Sequence, residues 1–454
     1  MYRIEDMEKI DINLEKIKTN ASIEYITHNE PTIDENIKVY AVIKNFIIKK
    51  KRVVYGGYAQ NLLIKKKNPN EMFYKEIKGA YFNWPNLADI EFYTPTPIQD
   101  LIELTDELFK LNFKYVEGSE GIHNETYKVF VNFINYSDIT YISQYVYNNL
   151  PIIEVDGIKC THPHFMMVDT YRVITDPLTS YWRLDKSLKR FQQLIKYYPI
   201  IQDNNKKKVE LESNDKILNF IRKKCIRKSK LVVVGFYAFN YYIKKAHKAF
   251  LLDKYPYYEL ISSNFEKDVK DIYSKLKQRY KMNITTKQFF PFFQFIDKRV
   301  EYYYNNKLIL ILYNNNDRCT VYKYSEKKKT YFGTSSLVYL YLLFSYYYAF
   351  INRNKKNTDL YLILIGQFFY AKNLYLDKHN ITVIDKSPFQ DFTIQCIGTP
   401  VETMRQSWIT RHNKRKLGKM IVYRYTPGKK QSMHVVNFNN SSGNENKNIK
   451  KILK

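Results

Sequence analysis

The chain has 454 residues, 45% of them hydrophobic, an ordinary share for a globular protein and enough for two or three domains with their own cores. Seventy-three Lys and Arg against 45 Asp and Glu leave a formal charge of +28, which points to an anionic partner, most simply a nucleic acid backbone. An AT-rich coding bias toward Lys, Asn, Ile, Tyr and Phe accounts for part of that excess, and four scattered cysteines (Cys160, Cys225, Cys319, Cys396) without a CxxC pair exclude a readable disulfide framework or zinc cage, so a reducing compartment is the default.

The N-terminal run MYRIEDMEKIDINLEKIK has acids and no apolar core, so it is no signal peptide. Residues 1–33 are expected to be a polar, weakly structured lead-in. Apolar spacing of three and four, with Asp34 and Glu35 near the start, predicts a helix over 34–50. RVVY then reads as a strand, Gly56-Gly57 as a turn and YAQNLLIKK as a helix. Residues 68–86 form an irregular insertion, LADIEFY a strand by alternation, and Pro97 opens a helix to about Lys110. NETYKVFVNFINY and DITYIS extend the sheet, and from His164 the pattern becomes helical. A first domain over 34–200 follows, with a polar linker at 201–214.

The second half, 215–427, repeats this order: a helix, LVVV, a helix over FYAFNYYIKKAHKAF, YYELIS, another helix and KLILILY. The uncharged run FGTSSLVYLYLLFSYYYAFI is long enough to span a bilayer, but its tyrosines and Ser345 argue for a buried helix. Strand-like TIQCIGT and KMIVYRY flank a basic segment, and residues 428–454 are expected to be a disordered basic tail.

The halves are copies. RVVYGGYAQNLLIKKK at 52–67 and LVVVGFYAFNYYIKKA at 231–246 agree at nine of sixteen positions, at an offset of 179. The same offset carries Asp138 onto Asp317. A period this long indicates a domain duplication in which one half kept chemistry and the other kept shape.

The chemistry is expected in the first half. A Gly-Gly turn feeding a helix lets backbone N–H groups approach a phosphate, and the helix N-terminus adds positive potential. Asp89 and Glu91, two apart on a strand, point the same way. Paired carboxylates are costly unless a cation sits between them, and two divalent ions there would suit nucleotidyl transfer. The third carboxylate is assigned to Asp138, with Asp156 as its rival. In the second half Gly57 becomes Phe236. Asp89 and Glu91 fall on Glu259 and Ile261 by strand pattern, or on Asp268 and Lys270 by rigid offset, so the pair is lost either way. Asp317 survives, which also fits a structural role for Asp138.

GGYAQN, ADIEF, VNFINYSDITYIS, PHFMMVDTYRVITDPLTSYWRLDKSLKR and KSPFQDFTIQCIGTPVETMRQSW resemble the poly(A) polymerase catalytic subunits of large cytoplasmic DNA viruses, over roughly residues 34–427. The resemblance implies an α+β fold of two tandem nucleotidyltransferase-like domains, each a small mixed sheet with flanking helices, the first catalytic and the second degenerate. It implies ATP as substrate, two Mg²⁺ or Mn²⁺ ions on Asp89, Glu91 and Asp138, a triphosphate held at Gly56 and Gly57, and extension of RNA 3′ ends. It further implies a homodimer or a processivity subunit as partner, no membrane, and work in the host cytoplasm with packaging in the virion.

Arg172, Arg183, Lys186 and Arg190 lie on the helices that follow. Arg183, Lys186 and Arg190 share one face, and Lys186 and Arg190 are assigned to nucleotide binding. Tyr171, Tyr181 and Trp182 are expected in the core rather than stacked on adenine. The expected activity is addition of AMP from ATP to an RNA 3′ end. The alternatives are a nucleotidyltransferase with another acceptor and a non-catalytic RNA-binding subunit.

Overall fold

The computed structural model describes residues 2–83, 86–121, 123, 125–200, 209, 211–289, 297–401, 405, 409 and 423–429. They form two compact units, Met1–His162 with the described residues after Thr403, and Pro163–Glu402.

The first unit begins with helices α1 (Ile4–His28) and α2 (Ile33–Lys50), then β1 (Val53–Tyr55) and α3 (Gly56–Lys67). Strands β2 (Lys75–Ile77), β3 (Ala80–Asn83) and β4 (Asn86–Leu87) make a small sheet of their own. Next come β5 (Ile90–Thr94), α4 (Pro97–Lys110), β6 (Glu117–Glu120), β7 (Thr126–Val131) and β8 (Ile134–Tyr141). Helix α5 (Gln144–Asn148), β9 (Ile152–Val155) and β10 (Ile158–Thr161) close this stretch.

The second unit begins with α6 (Pro163–Ile174), α7 (Pro177–Ser180), α8 (Leu184–Tyr197) and α9 (Asp215–Ile221). Strand β11 (Val232–Val234) feeds α10 (Gly235–Ala246), and β12 (Tyr258–Ser262) feeds α11 (Phe265–Tyr280). Then follow β13 (Ile284–Phe289), β14 (Arg299–Tyr304), β15 (Lys307–Asn314), β16 (Thr320–Ser325) and β17 (Thr330–Gly333). Helices α12 (Ser335–Ile351) and α13 (Lys355–His379) and the short strand β18 (Cys396–Ile397) complete it. The chain returns to the first unit with β19 (Arg424–Tyr425), paired to β6.

The sheet orders establish the duplication. The first sheet runs β19-β6-β7-β8-β5-β1-β10-β9 and the second β13-β14-β15-β12-β11-β17-β16-β18. Leaving aside β19 and β18, each strand has its counterpart in the same place. The senses agree too: β1 is parallel to β10 and antiparallel to β5, as β11 is to β17 and β12.

Local chemistry explains the elements that frame the sheets. Helix α2 starts where the Thr32 side chain accepts the Glu35 N–H at 3.3 Å, and it buries Val39, Tyr40, Ile43, Phe46 and Ile47 at helical spacing. It ends at Lys51 in the left-handed conformation. Helix α12 is buried on nearly all sides, as its uncharged sequence requires, and no helix among the described residues is long and apolar enough to cross a membrane.

Several expectations change. The lead-in is a helix, α1, although Ile4, Met7, Ile12 and Leu14 on it are exposed, so no core pattern announces it. The irregular insertion holds the small sheet β2–β4. Helices α6 to α8, read from the sequence with the first half, belong to the second unit. Cys319 and Cys396, 77 residues apart, form a disulfide between the start of β16 and β18. Most of the linker at 201–214 and the tail beyond Lys429 lie outside the described residues.

One buried ion pair ties the first unit together. Arg52, entering β1, donates to Asp100 on α4 at 2.7 Å, and the Asp100 side chain is fully buried. Asp100→Ala would leave the guanidinium without its carboxylate, with the Thr96 hydroxyl still at 3.3 Å, so denaturant titration of the full chain should show a loss of roughly 3 kcal/mol; an unchanged midpoint would refute this role.

Candidate active site

The site grows from the bend between β1 and α3. Gly56 has a φ of +64°, and a Cβ there would run into the Glu91 carboxylate. Glycine is required twice, by the left-handed backbone and by the contact. The Gly57 N–H donates to Glu91 Oε2 at 3.0 Å. That N–H is therefore committed to protein. What the bend leaves for a phosphate is the positive potential of the first turn of α3, reached at the half-buried Gly56.

Strand register sets the acids in a row. Tyr55 is opposite Glu91, and Glu91 is opposite Asp138 on the adjacent parallel strand. Partners in register share a face, so Glu91 and Asp138 lie side by side on the face of the bend. Asp89 stands two residues before Glu91, just outside β5 rather than within a continuous strand. Its charge is felt at Tyr40, whose phenol is raised first by burial and then by neighbours including Asp89.

A residue absent from the sequence reading completes the row. Lys128, opposite Asp138 on β7, donates to both Asp138 oxygens at 2.7 and 2.8 Å, and Asn135 donates to one of them at 2.9 Å. A cation thus already faces the third carboxylate. Lys128 and Asp138 are ten residues apart on consecutive strands, but the β7–β8 register shifts between Val129 and Phe130, so counting back from the turn does not pair them. Among the described residues no cluster of three or more His, Cys, Asp or Glu is drawn together as a metal cage.

Asp156 does not compete with Asp138. It sits in the turn before β10, and because β10 runs parallel to β1, that turn lies at the end of the sheet away from Gly56. Lys186 and Arg190 lie on α8 in the second unit, as does Arg172 on α6, where Arg172 pairs with Asp169 at 2.8 Å. Tyr171 is buried as expected, but Tyr181 and Trp182 are 71% and 65% exposed, with the Arg183 guanidinium over the Trp182 ring at 4.8 Å.

The second unit repeats the bend with different surroundings. Gly235 has a φ of +61°, and a Cβ there would meet the Glu259 carboxylate. Val234 is opposite Glu259, and Glu259 is opposite Ile311. Glu259 is thus the counterpart of Glu91, Tyr257 that of Asp89 and Ile311 that of Asp138. This corrects both sequence alignments. Asp317 lies exposed in the turn after β15 and is not the counterpart of Asp138. The offset drifts because the segment between the bend helix and the next strand is eleven residues longer in the first unit (91 − 56 = 35 against 259 − 235 = 24).

The chain is similar over its length to one group of viral proteins. The family model "Poly(A) polymerase catalytic subunit" matches residues 41–180, and "APMV, Putative poly(A) polymerase, catalytic subunit, C-terminal" matches residues 192–454. The "Putative poly(A) polymerase catalytic subunit" of Acanthamoeba polyphaga mimivirus is 31% identical, covering 94% of this chain and 78% of that protein. The African swine fever virus protein of the same description is 27% identical over 199 residues, 42% of this chain and 38% of that one. The crystal structure of the Megavirus polyadenylate synthase superposes with a TM-score of 0.85 at 34% identity, covering 94% of this chain and 86% of that chain.

Two outcomes follow from the paired bends. Gly56→Ala should destabilise the first unit by about 2–4 kcal/mol, through left-handed strain and the Glu91 clash. Glu91→Ala in that background should recover part of the loss, and strictly additive denaturation energies would refute the contact. In the second unit, burial raises the Glu259 carboxyl to about 7, against the Tyr313 hydroxyl at 2.9 Å and Arg299, with Glu301 adding to the rise. A folded value above the unfolded one means full stability below about pH 4.5 and loss as pH rises through about 7, roughly 3 kcal/mol in all. Melting of Glu259→Gln should lack this dependence; identical pH profiles for both proteins would overturn it.

Proposed function

This chain belongs to the poly(A) polymerase catalytic subunit family, and from that premise we propose that its nucleotidyl transfer takes place at the bend of the first unit, on Asp89, Glu91 and Asp138. The activity is that of a poly(A) polymerase, adding AMP from ATP to RNA 3′ ends. The observation that carries the assignment of the site is the register of Glu91 with Asp138 beside the Gly56-Gly57 bend.

The donor set suits hard divalent cations. It consists of carboxylates, and one of them already holds a positive group, the Lys128 ammonium. Mg²⁺ or Mn²⁺ held by Asp89, Glu91 and Asp138 would supply Lewis-acid polarisation of the α-phosphate and neutralise the departing pyrophosphate. The protein's own part is placement. Glu91 fixes the bend through the Gly57 N–H, and the half-buried Gly56 at the start of α3 is proposed as the point where the triphosphate approaches the helix N-terminus. Lys128, on the adjacent strand β7, and Asn135, on β8 itself, orient the Asp138 carboxylate. Lys186 and Arg190, four residues apart on α8, are proposed to bind nucleotide phosphate as well.

The second unit supports the choice of residues. It retains the Glu-to-bend contact but has Tyr257 and Ile311 where the first unit has Asp89 and Asp138. Self-association or a separate processivity subunit, and action in the host cytoplasm, belong to the same proposal; sedimentation of the purified chain distinguishes the first two.

The purified protein, incubated with labelled oligo-RNA, ATP and Mg²⁺ or Mn²⁺, should lose AMP incorporation by about a thousandfold on Asp89→Ala or Asp138→Ala. Glu259→Gln should tail at the wild-type rate. Tailing by Asp89→Ala at the wild-type rate would remove the assignment.

A further inference from the structure

Helices α3 and α10 end alike, in Ile64-Lys65-Lys66 and Ile243-Lys244-Lys245, yet the charges around these lysines are opposite. In the first unit Lys65 Nζ lies 2.9 Å from Glu76, on the small sheet, and 3.8 Å from Asp156, in the β9–β10 turn. The second unit has no such sheet between α10 and β12. Its turn corresponding to Asp156-Gly157 is Glu326-Lys327-Lys328-Lys329, between β16 and β17. Both carboxylates that neutralise the first lysine are therefore gone, and lysines stand in their stead.

Aromatic rings hold these cations instead. Lys328 Nζ lies 4.6 Å from the Tyr237 ring, 5.5 Å from Phe332 and 5.9 Å from Tyr241. Lys245 lies 4.3 Å over Tyr241 and donates to its hydroxyl at 2.8 Å. Tyr241 and Phe332 stack at 4.1 Å, where the first unit has Leu62 and Cys160. Arg222, at the start of the π-helical turn after α9, donates to the neutral Asn219 at 2.9 Å. Among the described residues no carboxylate pairs with Arg222, Lys244, Lys245 or Lys328. The turn's own acid, Glu326, acts on Tyr324. Lys328 is pushed below the usual lysine range by burial first, then by Lys244, Arg222 and Lys245. Like charges so gathered repel one another unless an anion joins them.

We propose that the second unit grips the phosphodiester backbone of an RNA strand on the surface formed by Arg222, Lys244, Lys245 and Lys328. The charges come from three separate elements, so they suit a chain of phosphates rather than one. The Tyr241 and Phe332 rings are closed on each other and on the lysines, which leaves charge rather than base edges as the means of recognition and makes the grip independent of sequence. The surface lies at the end of the second sheet opposite Gly235, because β17 runs parallel to β11. That the strand is RNA rests on the poly(A) polymerase reading, since a lengthening tail must be retained between additions.

The test uses the full-length protein and a fluorescent single-stranded RNA oligonucleotide, titrated by anisotropy over a range of salt. K244E/K245E/K328E should weaken binding at least tenfold at low salt. It should also reduce the slope of log Kd against log salt by about 2, three contacts at roughly 0.7 each. The neutral K244Q/K245Q/K328Q should show the same loss of slope with wild-type melting, which removes misfolding as an explanation. KM for RNA should rise while KM for ATP stays put. Asp89→Ala, disabled at the proposed active site, should bind RNA with the wild-type slope, which separates failure of this surface from failure of the active-site reading. Unchanged affinity and slope in both triple variants, or an equal weakening of ATP and RNA, would overturn the proposal.

Discussion

A glutamate resting against a bend whose first residue is glycine fixes where everything else in each unit must stand. In the first unit the Glu91 carboxylate takes the Gly57 N–H and occupies the space that a Cβ on Gly56 would need. That contact couples three features that are otherwise independent. They are the left-handed exit from β1, the start of α3 and the register of β5. Since β8 pairs in parallel with β5, the same contact places Asp138, and with it Lys128. A one-residue slip of β5 would turn its acid to the opposite face and break all of this at once.

The duplicate shows which part of the arrangement is frame and which is chemistry. Glu259 keeps its place against Gly235, so the glutamate is part of the architecture and not merely of the reaction. Its surroundings have been closed, with the Tyr313 hydroxyl as hydrogen-bond partner and Tyr257 and Ile311 where acids stand in the first unit. Burial favours the neutral form of this carboxyl, and the nearby Glu301 adds to that against the pull of Tyr313 and Arg299. Divergence after duplication therefore consisted in removing two carboxylates around a retained one. The idea that the second half lost its acid pair and kept only an apolar frame needs that refinement.

Much of this was legible because the signals were local. The strand, Gly-Gly, helix sequence and the Asp-x-Glu alternation each occupy fewer than twenty residues, and the return of the strand, glycine, helix stretch after 179 residues exposed the two-unit plan. What stayed hidden depends on strand register. Lys128 meets Asp138 only through β7–β8 register, and Cys319 meets Cys396 only because β18 pairs with β16. Rigid offset failed beyond the first helix, since the inserted small sheet shifts every later residue. It promoted Asp317, a turn residue, over Ile311, the residue in register. Helix α1 escaped because its exposed apolar residues obey no burial pattern.

Net charge is a sum, and its meaning depends on which charges are already satisfied. In the first unit Arg52, Lys65 and Lys128 all face carboxylates, so their contribution to an external field is small. Among the described residues the lysine and arginine cluster at the end of α10 meets rings and an amide rather than carboxylates, and cation–π contacts leave the charge available to solvent or ligand. The +28 of the whole chain is therefore not spread as a uniform coat. Where the duplicate lost the acids of its bend it also lost the acids that quiet the lysines of its helix end, and the two losses pull in the same direction. A unit without the two neighbouring carboxylates for bound cations, but with an uncompensated cationic surface, has exchanged chemistry on a phosphate for attraction to one.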